Sequence, residues 1–449
     1  MKSSNVSLIE GDVRAHLIRL TVPMIWGILA MMSLNVVDTW FVAQLGKAEL
    51  AAMSFTFPVI MVLISLGIGL MAGTSSVLAR VIGKGDWQRV RRLTTDSAIL
   101  AVIIAIVCTI VGLATIDPLF RLLGADDELL PLIREYMITW YVGFVFFLVP
   151  MAGVGAIRAT GDARLQSGIM LVASLVNLIL DPLLIFGLFG FPAMGIAGAA
   201  LATVLARMVS MALGFYALHR VKDMMATTLP SPVMFWDSVK SIGHVAFPAA
   251  GTNVIIPLAT GVVVAMIAGY GASAVAGYGA ASRIESLALV VFFAMSSVIG
   301  PFVGQNLGAG RIDRIRLALI ESTRLCLLLG AIAAIVIMLA SRHLLGAFSD
   351  DLEVIEYGRL YLLIVAPAYG AAGIIMVVNA TFNGVGRPGP AVVISTTRMF
   401  LVMVPLAWLG ARIAGVGGVF AGLAVANMIA AGIAWLWFRR ALRSMLPDV

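Results

Sequence analysis

What most limits the folds open to this chain is the recurrence, from end to end, of apolar runs about twenty residues long. A helical run of that length matches a hydrocarbon core of roughly 30 Å. In lipid the backbone must also close its hydrogen bonds within the spanning segment or within a closed barrel. A barrel would show short alternating segments, which this sequence lacks, so transmembrane helices are expected. The composition agrees, with 61% hydrophobic and 12% charged residues and a mean hydropathy of +1.05, outside the usual range of soluble proteins.

Division at charge clusters and at Gly or Pro gives twelve spans, beginning near residues 16, 51, 94, 130, 165 and 195, then near 243, 276, 317, 354, 390 and 415. An even number places both termini on one side. Positive residues identify that side as the cytoplasm. Arg80, Lys84, Arg89, Arg91 and Arg92 crowd one loop and Arg439, Arg440 and Arg443 the end, while only Lys47, Arg121, Arg134, Arg342, Arg359 and Arg412 fall opposite. The expectation is a multi-pass protein of the cell inner (plasma) membrane, with both termini cytoplasmic and the lipid bilayer as its surroundings. The same bias accounts for the net charge of +7, so no nucleic acid partner is expected. Glu10 and Asp12 precede the first apolar run, and no short apolar core ends in a small-residue cleavage site, so no removable signal peptide is expected. Cys108 and Cys326 lie in apolar spans and read as small buried hydrophobes.

An internal repeat divides the chain. GKGDWQRVR at 83–91 matches GAGRIDRIR at 308–316, pairing Gly83 with Gly308, Gly85 with Gly310, Arg89 with Arg314 and Arg91 with Arg316. Repeats running in the same direction with six spans each imply two bundles related by an axis along the membrane normal, with substrate handled near mid-depth. The expected fold is an all-α membrane protein of twelve transmembrane helices in two pseudo-symmetric six-helix lobes. The expected lobes are 1–218 and 243–449, joined by a cytoplasmic linker at 219–242.

Asp38, within NVVDTWFVAQLG in the first span, is expensive at that depth, at about 2.5 to 3.5 kcal/mol, which marks it as a functional residue. Asp181 lies in a second apolar run, SLVNLILDPLL, with Asn177 one helical turn before it on the same face. Burial and a neighbouring carboxylate both favour protonation of one acid, so an Asp38 and Asp181 pair suits uptake and release of a proton. With Asn177, Thr203 and Tyr141 supplying oxygens, the same site suits Na⁺. The competing reading is structural: Asp38 bonds to hydroxyls such as Thr39, and Asp181-Pro182 ends a helix turn. Pro23, in the span of Asp38, removes a backbone bond and offers a bending point. Glu285, in GYGAASRIESLAL, reads either as a second coupling acid or as a partner of a neighbouring helix, and Arg283 lies on a different face. Abundant Met and Phe suit a pocket for flat organic cations.

Enzymatic chemistry is not expected. Gly83-Lys84-Gly85 lacks the Ser or Thr of a phosphate loop. The four histidines are scattered, and the acidic pairs at 126–128 and 350–351 read as solvated helix starts.

NVVDTWFVAQLG with Leu50-Ala51-Ala52, SLVNLILDPLLIFG, GIAGAALATVLAR and GQNLGAGR together resemble the multidrug and toxic compound extrusion (MATE) family over nearly the whole chain. The resemblance implies a twelve-helix transporter that exports amphipathic cationic drugs or dyes in exchange for H⁺ or Na⁺ by alternating access. It implies no cofactor beyond the coupling ion, and a monomer is expected. It maps the family's cation site onto Asp38, Asn177, Asp181 and Thr203, and its bending first helix onto the segment after Pro23. That pattern is most like the DinF-type branch, named for a DNA-damage-inducible protein. Another branch carries acids in spans seven and ten, where this chain has Asn253 and Asn379. The alternative is a lipid-linked precursor flippase of the same superfamily, which would need arginines gathered on a central cavity. Only Arg207, Arg283, Arg324 and Arg398 lie within spans.

Overall fold

The apolar runs fold as expected. In the computed structural model, which describes residues 8–228 and 231–443, every regular element is helical. In chain order these are α1 (Val13–Ala43), α2 (Lys47–Gly83), α3 (Trp87–Leu122), α4 (Leu130–Val142), α5 (Phe144–Ala159), α6 (Ala163–Phe186), α7 (Gly195–Tyr216) and α8 (Pro232–Ala268). They are followed by α9 (Ala272–Ala288), α10 (Val290–Gly308), α11 (Ile312–Gly346), α12 (Leu352–Val365), α13 (Tyr369–Gly384), α14 (Gly389–Thr396) and α15 (Val404–Arg443).

Among the described residues, ten helical stretches are long and apolar enough to cross a membrane, and α4 with α5 make an eleventh, bent by 43°. The last stretch, 389–443, is 55 residues long and breaks at Ala414 and Gly415, where Gly415 takes a φ of 60°. It therefore holds two crossings, which makes twelve. The two arms of that break touch: a Cβ on Gly410 would lie 2.0 Å from the Gly418 carbonyl oxygen.

Side chains are sorted for lipid rather than water. On α3 the buried positions include Ala101, Ala105 and Gly112, one to two turns apart, while Ile106, Val107, Ile110 and Val111 are exposed. Small residues let helix backbones approach where no hydrophobic force favours helix over lipid. The same device joins α2 to the first part of α8. Gly69 and Gly73 form a GxxxG face, and a Cβ on them would lie 2.4 Å from the Ala246 carbonyl and 2.6 Å from that of Ile242. The repeated loop motif has a backbone cause as well. Gly85 and Gly310 adopt left-handed φ values of 76° and 71°, a conformation that glycine enters without steric cost. Gly161 and Gly386, the same distance apart, do so at 78° and 77°.

By packing, the chain forms two compact units. Among the described residues, one holds 26–250 and the other 8–25 with 251–443. The division falls inside two helices: α1 changes units after Ile25 and α8 after Ala250. Within the first unit the core is built around Phe120, Tyr136, Tyr141, Phe144 and Phe147. The connection after α7 docks on α3, since Asp223 pairs with Arg91 and the Ala226 N–H donates to Thr95 Oγ1 at 2.9 Å.

Asp162 caps α6. It accepts from the Leu165 N–H at 3.0 Å and from Lys222 Nζ at 2.7 Å. Burial pushes its carboxyl pKa up, but the Lys222 bond and the Leu165 N–H outweigh burial and hold it below the ordinary value. A depressed carboxylate contributes stability that is fully present above its unfolded pKa of about 3.9 and is lost as pH falls through the lower folded value. Asp162→Ala should therefore lower stability by about 2 kcal/mol at neutral pH. The gap to the native protein should narrow below about pH 4, as compared by thermal melts in detergent.

Candidate functional site

The two deep acids stand on helices that run the same way, because α1 and α6 form the first and fifth crossings. They touch at Gly27, where a Cβ would lie 3.1 Å from that of Ser167. From this contact Asp38 is eleven residues on and Asp181 fourteen, rises of about 16 and 21 Å. The carboxylates thus arrive at similar depth on neighbouring helices. They are close enough for the Asp38 charge to act on Asp181, and for both to act on the Tyr136 hydroxyl. Asp181 is fully buried, and its Oδ1 accepts from Asn177 Nδ2 at 3.0 Å. Asp181 Oδ2 and Asp38 Oδ1 are buried with no hydrogen-bond partner. Leaving a buried carboxylate oxygen unmatched costs about 1 to 3 kcal/mol or more, which a proton or a hard cation relieves.

The structural alternatives are not realised. Thr39 Oγ1 donates to the Asn35 carbonyl of its own helix at 2.8 Å, leaving no hydroxyl proton for Asp38. Asp181-Pro182 does not end a turn either, because α6 continues to Phe186. Pro182 instead removes one backbone N–H beside the acid, leaving the Leu178 carbonyl without its usual helical partner.

The tyrosine beside the acids is Tyr136, five residues before the one expected from sequence. Tyr136 is 5% exposed. Tyr141 turns toward α3. Its carbonyl accepts from Thr109 Oγ1 at 2.7 Å, and its ring fills the space above Gly112, where a Cβ would lie 2.2 Å from it. On α4, Tyr136 and Tyr141 are five residues apart and so point about 140° away from each other, a signal the sequence already carried. Thr203 lies half-buried on α7, which is pressed onto α6 by Gly198, where a Cβ would lie 2.5 Å from the Leu184 carbonyl. Asp38, Asn177, Asp181 and Thr203 thus come from three helices of one unit, with Tyr136 from a fourth. Carboxylate, amide and hydroxyl oxygens are the donors that a hard monovalent cation takes, and the same carboxylates hold a proton.

Pro23 lies within α1, two residues before that helix changes units. The missing proline N–H removes the bond to the Arg19 carbonyl, so α1 is weakest close to where its packing changes.

In the second unit Glu285 accepts from the Tyr361 hydroxyl on α12, so it is bonded to a neighbouring helix. Tyr278 meets Tyr361 edge to face at 5.1 Å, and Phe420 lies 5.0 Å from Tyr361. Arg398 sits on a π-helical turn, Thr397–Met403, and acts electrostatically on Glu285. Such turns are rare and frequently functional. Its Nη1 donates to Asn427 Oδ1 at 3.2 Å, while its Nε is buried without a partner. Asn379 Nδ2 donates to Ser395 Oγ at 3.0 Å, and Asn253 is half-buried on α8. The other arginines within spans are held separately. Arg207 lies over the Phe147 ring at 5.3 Å, Arg324 pairs with Glu321 at 2.7 Å, and Arg283 is exposed.

The MatE family profile matches residues 23–183 and again 248–409, with the offset of the internal repeat. The FAD transporter of Shewanella oneidensis is 39% identical over 425 residues, covering 94% of this chain and 93% of that protein. The probable multidrug resistance protein NorM of Thermotoga maritima is 26% identical over 403 residues, covering 89% and 86%. The crystal structure of the Vibrio cholerae MATE transporter VcmN in the bent form aligns with a TM-score of 0.91 at 32% identity, covering 96% and 98%.

Proposed function

The chain belongs to the MatE family of transporters, and from that premise we propose that it is a secondary active exporter driven by H⁺ or Na⁺ taken up at Asp38 and Asp181. One observation carries the reading: two acids from different helices of one unit each have a buried carboxylate oxygen without a hydrogen-bond partner. Each unit charge moving down the membrane potential supplies about 2.3 kcal/mol per 100 mV. Ion and substrate favour different arrangements of α1, which is how exchange drives alternating access. In this reading the protein works as a monomer in the inner membrane with both termini cytoplasmic, and it needs no cofactor beyond the ion.

The relatives named for multidrug resistance support small amphipathic cations, drugs or dyes, as the exported solute. A second reading, export of a flavin dinucleotide, is favoured by the 39% identity to the Shewanella FAD transporter over 94% of the chain. At that identity the flavin is the stronger substrate reading. A lipid-linked precursor flippase is disfavoured, because Arg207 lies over Phe147, Arg324 pairs with Glu321 and Arg398 bonds Asn427, so each has a partner of its own.

The test is efflux from proteoliposomes loaded with FAD or with a cationic dye, under an imposed pH gradient or an imposed Na⁺ gradient. One of the two gradients should drive efflux and ATP should not. Export of FAD alone removes the cation reading, and export of dye alone removes the flavin reading. ATP-driven efflux with neither gradient effective overturns the exporter proposal.

A further inference from the structure

At the end of the second unit, where α13, the turn before α14 and the last turns of α15 meet, lies a groove of about 630 Å³ that ion exchange does not use. Two of its lining residues are charged, Arg387 and Arg440. Both are exposed, and among the described residues neither enters an ion pair and no carboxylate lines the groove. Its wall is stiff. Trp437 meets Phe382 at 6.4 Å, and Phe382 meets Phe438 at 5.1 Å, both edge to face. Arg387 is held at its mouth by a backbone bond from its N–H to the Phe382 carbonyl at 3.0 Å, after Gly386 turns the chain at a φ of 77°. Arg439, next to Arg440 in the chain, is occupied elsewhere, over the Trp435 ring at 4.8 Å.

The opposite end of the groove opens onto an apolar track. Ile433 and Leu436 are 42% and 52% exposed, and Ile429 and Val425 continue the same face of α15 at 43% and 44%. The spacing 425, 429, 433, 436, 440 places these residues in one stripe that ends at Arg440. Two guanidinium groups at one end of a span, above a continuous exposed aliphatic stripe, match one chemistry: a phosphodiester joined to acyl chains. Guanidinium forks hold phosphate oxygens in pairs, and basic pockets between helix ends are where anionic headgroups settle.

We propose that this groove is a binding site for one anionic glycerophospholipid, its phosphate between Arg387 and Arg440 and an acyl chain along Leu436, Ile433 and Ile429. Free phosphate would meet the arginines but leave the stripe uncovered. Occupation would tie the ends of α13 and α15 together through a single ligand.

The experiment is native mass spectrometry of the full-length protein in detergent with equal mole fractions of phosphatidylglycerol and phosphatidylcholine. At about a factor of five per arginine near the surface, the native protein should retain phosphatidylglycerol roughly thirty-fold over phosphatidylcholine. The double variant Arg387→Gln, Arg440→Gln should lose that preference, whereas Arg387→Lys, Arg440→Lys should keep part of it. These side chains are exposed, so the variants should fold, which gel filtration verifies. Equal retention of the two lipids, an unchanged preference in the double Gln variant, or displacement of the lipid by millimolar inorganic phosphate would each overturn the proposal.

Discussion

Asp38→Asn is expected to abolish gradient-driven efflux while leaving the protein folded. Asparagine keeps the size and polarity of the side chain but cannot change charge, so it can neither release a proton nor balance Na⁺ against Asp181. With one ion exchanged per substrate, a fifty-fold ion gradient, about 2.3 kcal/mol, sustains roughly a fifty-fold concentration ratio of substrate, and that ratio should collapse to equality. Proteoliposome efflux measures the ratio, with circular dichroism and gel filtration confirming the fold. Asp181→Asn should behave alike, because Asn177 orients only one of its oxygens. Efflux at the native rate from Asp38→Asn would remove the ion site from α1.

The second large effect concerns Arg314, which is 8% exposed and divides its guanidinium between the segment before α1 and Asn306. Nη1 donates to the Gly11 carbonyl at 2.7 Å, Nη2 to those of Leu8 and Glu10 at 3.1 and 3.2 Å, and Nε to Asn306 Oδ1 at 2.9 Å. Asn306 Nδ2 reaches the Leu8 carbonyl at 3.1 Å as well. Removing this fork takes away four charge-assisted hydrogen bonds at once, a cost of about 3 kcal/mol or more. Arg314→Ala should therefore speed amide hydrogen exchange over residues 8–25 by roughly a hundred-fold or more. Arg314→Lys should rescue little, because a point ammonium cannot span the same carbonyls. Arg89→Ala, at the matching position of the other half, should leave exchange unchanged, since Arg89 is exposed. Native exchange rates in Arg314→Ala would show that the clamp does not hold the segment.

Arg89 and Arg314 also show how far the sequence could be read. Their pairing in the repeat was visible, and the left-handed glycines at 85 and 310 explain why the motif recurs. That one arginine is exposed and the other buried in a clamp was not visible, because it depends on which unit the first part of α1 packs against. The twelve crossings were legible from hydropathy, since each span must satisfy its backbone internally. The break at Ala414 and Gly415 lies at the boundary between the spans read near 390 and 415. Asp38 and Asp181 stand out as candidates for a different reason: an acid at depth is costly, so its presence carries information, and Asn177 follows from its one-turn spacing to Asp181. Tyr136 was missed because a tyrosine in an apolar run carries no such cost. Only helical phase relative to α1 and α6 separates it from Tyr141, and phase needs the packing. The π-helical turn that mounts Arg398 left no trace in the pattern, since one inserted residue shifts a periodicity without breaking it.

The most direct measurement is to count the ions that leave when substrate binds. Purified protein in weakly buffered detergent solution is saturated with substrate while a pH indicator follows H⁺ and a radiotracer follows Na⁺. The native protein should release roughly one ion of one kind per chain, the pair titrating as a unit, and the double variant Asp38→Asn, Asp181→Asn should release none. Release of the same ion in the same amount by the double variant would mean that the exchange happens elsewhere in the molecule.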